Sequence, residues 1–239
     1  MLNKTELVRD YFNNDENYIK SNAMTMLRKL IVYDLTGTIK EKNIIDIGCG
    51  NGIISIPFLE LNHVTFLDLS VNMLGEVKKV IPKNLIHKAE FINEDINYFK
   101  SIKKFDIVLL VGVLAHVQDV ERCISKVSEL LIENGTCIVQ ITNSNKIMAR
   151  LLRLYSTLKN SIIKSKMMYN VNVLKEDFIE SSFNKYGFSL LEKKYYLPTF
   201  PGFKLLSRNT RIGFLSVCYK TRWISRFGSE IIFKFNKDI

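Results

Sequence analysis

Ile44-Ile45-Asp46-Ile47-Gly48-Cys49-Gly50-Asn51-Gly52 is the stretch on which the fold turns. Its apolar start, continuous with Asn43, reads as a short buried strand. Three glycines at alternate positions then end the strand. Glycine permits tight turning there and lets the backbone approach a ligand closely. Ile53–Leu61 follows and reads as a helix. A strand that passes through a glycine loop into a helix is the opening unit of an open α/β sheet.

The flanking sequence repeats that alternation. Val64–Leu69, His87–Ile92, Phe105–Val111 and Thr136–Thr142 read as further strands. Val71–Val80 and Val120–Ile132 read as helices, the latter stopped at Asn134-Gly135. Phe105–Val111 is almost wholly apolar, as a strand covered on both faces should be. Strands alternating with helices predict a parallel sheet with helices on both faces. Upstream, Leu27, Leu30, Ile31 and Leu35 recur at helical spacing. Downstream, Asn145–Lys164 and Lys175–Tyr186 read as helices, Phe188–Tyr196 as a strand, Phe203–Phe227 as partly helical and Glu230–Phe235 as a last strand. The expected organisation is one domain over 1–239. It comprises an N-terminal helical cover (1–42), a ligand-binding core (43–143), a helical insert (144–170) and a C-terminal part of the sheet with a second helical insert (171–239).

Bulk properties agree with one sizeable α/β domain: 239 residues, 47% hydrophobic. The polar start, Met1-Leu2-Asn3-Lys4-Thr5-Glu6, lacks the apolar segment of a signal peptide. The longest apolar run, Ile107 to Ala115, is about half of what a membrane span needs. A cytoplasmic protein is expected. The four cysteines (Cys49, Cys123, Cys137, Cys218) form no C-x-x-C pair and read as reduced structural thiols. Charge is uneven. Residues 1–144 carry 16 Lys+Arg against 18 Asp+Glu, and residues 145–239 carry 18 against 6. The basic second half suits an anionic partner or simply a solvated surface.

Acidic residues define the ligand. The nicotinamide and flavin fingerprint is G-x-G-x-x-G. Here the third glycine comes one residue early, and Ile53 stands where that pattern wants it. Asp46, two residues before Gly48, would repel a pyrophosphate and suits a ligand with a cationic amino group. Asp68 follows Gly48 by 20 residues, at the end of the second strand, where a carboxylate can take both ribose hydroxyls. Glu94-Asp95-Ile96 ends the third strand, where a carboxylate can meet the adenine amine and a backbone N–H a ring nitrogen. Together they describe an adenosine joined to a cationic amino acid, S-adenosyl-L-methionine.

These runs, with FLDLS (66–70), NEDI (93–96), FDIVLLVGVLAHVQD (105–119) and NGTCIVQITN (134–143), resemble the class I S-adenosylmethionine-dependent methyltransferases. Within them the chain looks most like the small-molecule group that includes the ubiquinone-biosynthesis type. Val171–Phe178 and Lys185–Phe188 are similar to that group's last helix and sixth strand. The resemblance implies a Rossmann-like sheet of seven strands, the last antiparallel, with S-adenosyl-L-homocysteine as product. It implies that Asp46, Gly48, Gly50, Asp68 and Asp95 contact the cofactor, with Val111 and Gly112 on the methionine side. Cys49, Asn51, Gly52, Leu69, Met73, Glu94 and Ile96 are expected beside them. Tyr11, Phe12 and Tyr18 belong to a segment that in this family often folds over the cofactor, and ordinary packing explains them equally well.

The acceptor side is less legible. His116 follows the fourth strand and is the candidate general base, or else a structural or cofactor-contacting residue. His63 and His87 read as structural. No cluster of Asp, Glu and His in the sequence suits a metal. Asn145–Lys164, apolar on one side and basic on the other, reads as a substrate lid, a surface helix against anionic lipid, or a packing helix. Arg208–Phe227, with Trp223, and Tyr195-Tyr196-Leu197-Pro198 are further candidate walls. The expected activity is methyl transfer to oxygen or nitrogen of a small molecule: a metabolite, glycan-linked or lipid-like acceptor. An RNA methyltransferase and a non-catalytic cofactor-binding partner subunit are the alternatives. Against nucleic acid, Val111-Gly112-Val113-Leu114 stands where an N-P-P-Y-type motif would. A homodimer and peripheral contact with an anionic membrane are both compatible with the sequence.

Overall fold

The computed structural model describes residues 3–14, 23–142, 171–196, 207–221, 228 and 230–239. Two helices come first, α1 (Lys4–Asn14) and α2 (Ala23–Thr36). The alternating core follows: β1 (Asn43–Ile47), β2 (His63–Leu67), α3 (Val71–Val80), β3 (Ala89–Ile92), β4 (Phe105–Val111), α4 (Val120–Leu130) and β5 (Leu131–Thr142). Then come α5 (Glu176–Lys185), β6 (Phe188–Tyr196), α6 (Arg208–Lys220) and β7 (Glu230–Lys237). Asn145–Lys164, Trp223 and Leu197-Pro198 lie outside the described residues.

The strands form one sheet in the order β3-β2-β1-β4-β5-β7-β6. β1 to β5 pair in parallel, and β7 enters antiparallel between β5 and β6. The parallel part is the sheet that the alternation predicted, and the seven strands with an antiparallel last one are what the family resemblance implied. Because β7 runs backwards, its first residue Glu230 pairs with Thr142 and Tyr196 at the ends of β5 and β6. The carboxyl ends of the parallel strands and the start of β7 therefore share one edge, where ligands bind in open α/β sheets.

Each face of the sheet carries its own core. One packs Ile45, Leu110 and Val139 against Cys123, Ile124 and Val127 of α4 and Ile179 and Phe183 of α5. The other packs Ile44, Phe66, Leu109 and Ile138 against Leu27, Ile31 and Leu35 of α2 and Leu74 and Val77 of α3. Burying each such side chain contributes roughly 1.5–3 kcal/mol before entropy is counted. Leu27, Ile31 and Leu35 make the buried stripe of α2, whereas Leu30 is 48% exposed.

Several elements differ from the sequence-based expectation, among them the fifth strand, which starts at Leu131 rather than Thr136. Ile53–Leu61 is not an α-helix: only a 3₁₀ helix forms, Ile56–Glu60. Gly52, at φ 68°, closes a turn on Cys49 and accepts from Ser55 and Ile56, and Pro57 has no N–H for a helical ladder. The third strand starts at Ala89 rather than His87, because Lys83–Lys88 coils into another 3₁₀ helix. α4 stops at Leu130, since Leu131 already pairs with Phe105. Asn134 turns the chain at φ 59°, a conformation asparagine tolerates. Among the described residues no helix is long and apolar enough to cross a membrane.

Candidate active site

An open cleft lies at the carboxyl edge of the sheet. Its floor is Gly48 and Gly50, and its walls include Asp68, Leu69 and Met73, Glu94–Asn97, and Val111–Val113. His116, Val117 and Gln118 close one end, and Thr5, Val8 and Phe12 of α1 lie over it. The structure thus brings Gly48, Gly50, Asp68, Leu69, Met73, Glu94, Asp95, Ile96, Val111, Gly112 and His116 to one cavity. Asp46, Cys49, Asn51, Gly52 and Tyr11 are not among its lining, and Tyr18 lies outside the described residues.

The loop that follows β1 is held by the end of β2. Gly48 N–H and Cys49 N–H both donate to Leu67 O, at 2.7 and 3.3 Å. Gly48 sits at φ 64°, and a Cβ there would meet Val113 Cγ2 at 2.7 Å. Only glycine fits. Gly50 N–H donates to Asp68 Oδ2 at 2.9 Å, and Ser70 N–H to Asp68 Oδ1 at 2.8 Å. Burial raises the Asp68 carboxyl above its ordinary range, and those N–H donors pull it back. Ser70 also caps α3 by accepting from Met73 N–H, which fixes the wall beyond Asp68.

Asp46 lies behind the loop, 4% exposed, and its Oδ2 accepts from Ser55 Oγ at 2.5 Å. Burial pushes it up to about 7, the Ser55 bond opposes that, and the Asp68 charge adds to it. Burial likewise pushes the Cys49 thiol well up, so it behaves as a neutral side chain. Asp95 accepts from Thr5 Oγ1 at 3.2 Å on one oxygen and from Asn97 N–H at 2.9 Å on the other.

At the opposite end, His116 N–H donates to Val113 O at 2.8 Å. The Phe12 ring stands edge-on to the imidazole at 5.6 Å between centroids. Burial, then the charges of Lys4 and Arg28, lowers His116 to about 4. The ring is therefore neutral at physiological pH. Among the described residues no group of three or more His, Cys, Asp or Glu is placed to hold a metal ion.

Sequence reasoning missed a polar cluster beside Gly112. Arg28 Nε donates to Tyr196 Oη at 3.1 Å, and Arg28 Nη2 lies 3.3 Å from Glu230 Oε2. Gln140 Nε2 and Thr142 Oγ1 also donate to Glu230, at 2.6 and 2.7 Å. A Cβ on Gly112 (φ 80°) would stand 3.7 Å from Gln140 Oε1 and 3.9 Å from Arg28 Nη1. The guanidinium thus reaches the cleft wall. The available signal was an arginine beside the apolar stripe of α2, which is too weak to select it. Thr5 and Val8 were missed for a similar reason, since α1 reaches the cleft by tertiary packing, and Asn97, Val117 and Gln118 extend the predicted Ile96 and His116 along the chain.

A seven-stranded sheet of this order, with a glycine loop and acidic residues at its carboxyl edge, defines a class: the Rossmann-like class I methyltransferase fold. A methyltransferase-domain family model matches residues 39–198, and the chain belongs to that family, of the S-adenosylmethionine-dependent class I type. Among curated proteins it is similar to the ubiquinone biosynthesis O-methyltransferase of Pelagibacter ubique (strain HTCC1062), 29% identical over 127 residues. That match covers 53% of this chain and 51% of that protein, so the chain spans about half the length of this relative. Its fold is similar to magnesium protoporphyrin IX methyltransferase from Synechocystis PCC 6803, solved with S-adenosylhomocysteine. The TM-score is 0.67 and the identity 18%, with 99% of this chain and 100% of that one covered. It is also similar to the N-methyltransferase NodS from Bradyrhizobium japonicum WM9, solved with the same product. There the TM-score is 0.63 and the identity 12%, with 98% and 99% covered. At those identities the two structures speak for the fold alone.

Proposed function

We propose that this chain transfers a methyl group from S-adenosyl-L-methionine to an oxygen or nitrogen of a small-molecule acceptor, leaving S-adenosyl-L-homocysteine. The observation that carries the reading is the convergence of Gly48, Gly50, Asp68 and Asp95 on one cleft that ends at His116. The residues fit the cofactor. Gly48, Gly50, Asp68 and Asp95 line one cleft, and the donor set there pairs carboxylates with backbone N–H groups.

When bound, the cofactor supplies a methyl already activated on a sulfonium, so the protein's work is positioning and desolvation. Asp68, oriented by Gly50 and Ser70, would hold the ribose hydroxyls. Asp95 and the Ile96 backbone would hold the adenine, with Leu69 and Met73 as apolar neighbours. Asp46 would place negative potential behind the loop for the cationic amino group, and Arg28 would pair with the carboxylate. Thr5, Val8 and Phe12 exclude water from above. His116, held neutral, accepts the hydrogen bond of an acceptor hydroxyl and aligns its oxygen for in-line attack.

Isothermal titration with S-adenosylhomocysteine tests the cofactor; micromolar binding is expected, and none would end the reading. Turnover is then sought with methyl-labelled cofactor against phenols, catechols, carboxylic acids and amines, with RNA as the competing substrate. Label transfer to RNA alone would replace the small-molecule acceptor with the alternative.

A further inference from the structure

The loop Val113–Val117 carries three residues of the cleft wall, His116 included, and leaves a run of backbone carbonyls to be satisfied from elsewhere. One residue, 56 positions after His116, does so. Asn172 N–H donates to Ala115 O at 2.8 Å, and Asn172 Nδ2 donates to Leu114 O at 2.9 Å and to Val117 O at 2.8 Å. An asparagine amide offers two donors and an acceptor. The remaining atom, Oδ1, accepts from Lys4 Nζ at 2.7 Å, and Lys4 Nζ also donates to Val117 O at 2.9 Å. Lys4 opens α1. The next residue, Thr5, bonds Asp95, and Phe12 packs on His116. At the far end Asn13 Oδ1 lies 2.6 Å from Ser70 Oγ.

α1 is 11 residues long, and Val8 is its buried apolar residue among those described. A helix that short is marginal on its own, so what lies beneath decides how firmly it docks. Lys4 has no carboxylate within ion-pair distance among the described residues, and burial lowers its pKa. Its partners are the Asn172 amide and the Val117 carbonyl, which it meets only when α1 is docked.

We propose that Asn172 is a positioning residue for the His116 loop, and that Lys4 locks it to α1, so that closure over the cofactor and ordering of the acceptor side are a single event. The proposal rests on the cofactor reading above. Its consequence is an ordered reaction: the acceptor meets a finished wall only after the cofactor has brought α1 down.

Hydrogen exchange with and without saturating S-adenosylhomocysteine tests it on the whole chain. In the wild type, the product should slow exchange about tenfold or more at the Val113–Val117 loop and at Asn172, as well as at Gly48–Gly52. In Lys4→Met, protection of the glycine loop should persist, while that of the His116 loop and Asn172 falls below about twofold; Lys4→Arg should restore it. Asn172→Asp, which keeps Oδ1 and loses the two donors, should lose protection at Val113–Val117 alone. Wild-type protection of the His116 loop in Lys4→Met would overturn the coupling while leaving the cofactor reading intact. Failure of the wild type to bind the product would overturn both, and calorimetry would show that first.

Discussion

Ser55 Oγ donates to the buried Asp46 carboxylate at 2.5 Å, tying the turn after the glycine loop to the strand before it. The hydroxyl only partly offsets the cost of burial, which leaves Asp46 titrating at about 7 rather than at its ordinary 3.8. A carboxyl raised by folding favours the folded state most below its unfolded value. That contribution is lost as pH rises from about 4 through about 7. Asp46→Asn keeps an oxygen for Ser55 and removes the charge. It should be more stable than the wild type at pH 8 by about 1–3 kcal/mol, with the advantage gone near pH 4. Urea unfolding at the two pH values checks this. The same variant should bind S-adenosylmethionine about tenfold more weakly, because the negative potential behind the loop is gone.

Asp68 holds Gly50 and Ser70 and, in the proposed complex, the ribose. Asp68→Ala should weaken S-adenosylhomocysteine by about 10- to 100-fold, the size of one hydrogen bond to a charged group. Calorimetry beside a thermal melt separates lost ligand contacts from a loosened loop. Unchanged affinity would remove the ribose assignment.

His116, lowered to about 4, should stay neutral across physiological pH. Its imidazole nitrogen shifts, followed by NMR, should not titrate between about pH 5.5 and 8. His116→Ala should cut turnover by about tenfold or more and change product affinity by less than about threefold. A matching loss of affinity would make it a cofactor contact instead.

Arg28, proposed above to pair with the cofactor's carboxylate, sits against Glu230, whose side chain is 8% exposed. Arg28→Met leaves Glu230 with Gln140, Thr142 and Tyr196 as donors. The arginine side chain is 27% exposed, which keeps the stability loss modest, about 1–2 kcal/mol. Affinity for S-adenosylmethionine should fall about tenfold, and affinity for adenosine should be unchanged, since adenosine has no carboxylate. Equal loss for both would place Arg28 in the scaffold alone.

Much of this molecule was readable along the chain. Phe105–Val111 and Phe188–Tyr196 were bounded to the residue, the first because it is almost wholly apolar, the second because it follows the helix stop at Gly187. Ile53–Leu61 misled because its apolar residues mimic a helix, and Gly52 with Pro57 limits it to a 3₁₀ turn. The glycine loop, Asp68 and Asp95 were legible because each follows a strand that the sequence marks.

By itself, then, the sequence determined the alternating strands and helices and the acids at the strand ends, features that lie within about a turn of the elements positioning them. Only the tertiary structure decided that Asp46 stands behind the loop with Ser55, that Arg28 reaches Gly112 across Glu230, and that Lys4 meets Asn172. Those contacts join residues up to 202 positions apart. Side-chain polarity shows that such groups need partners, but which partners they find is set by the packing of α1 and α2 and the reversed direction of β7.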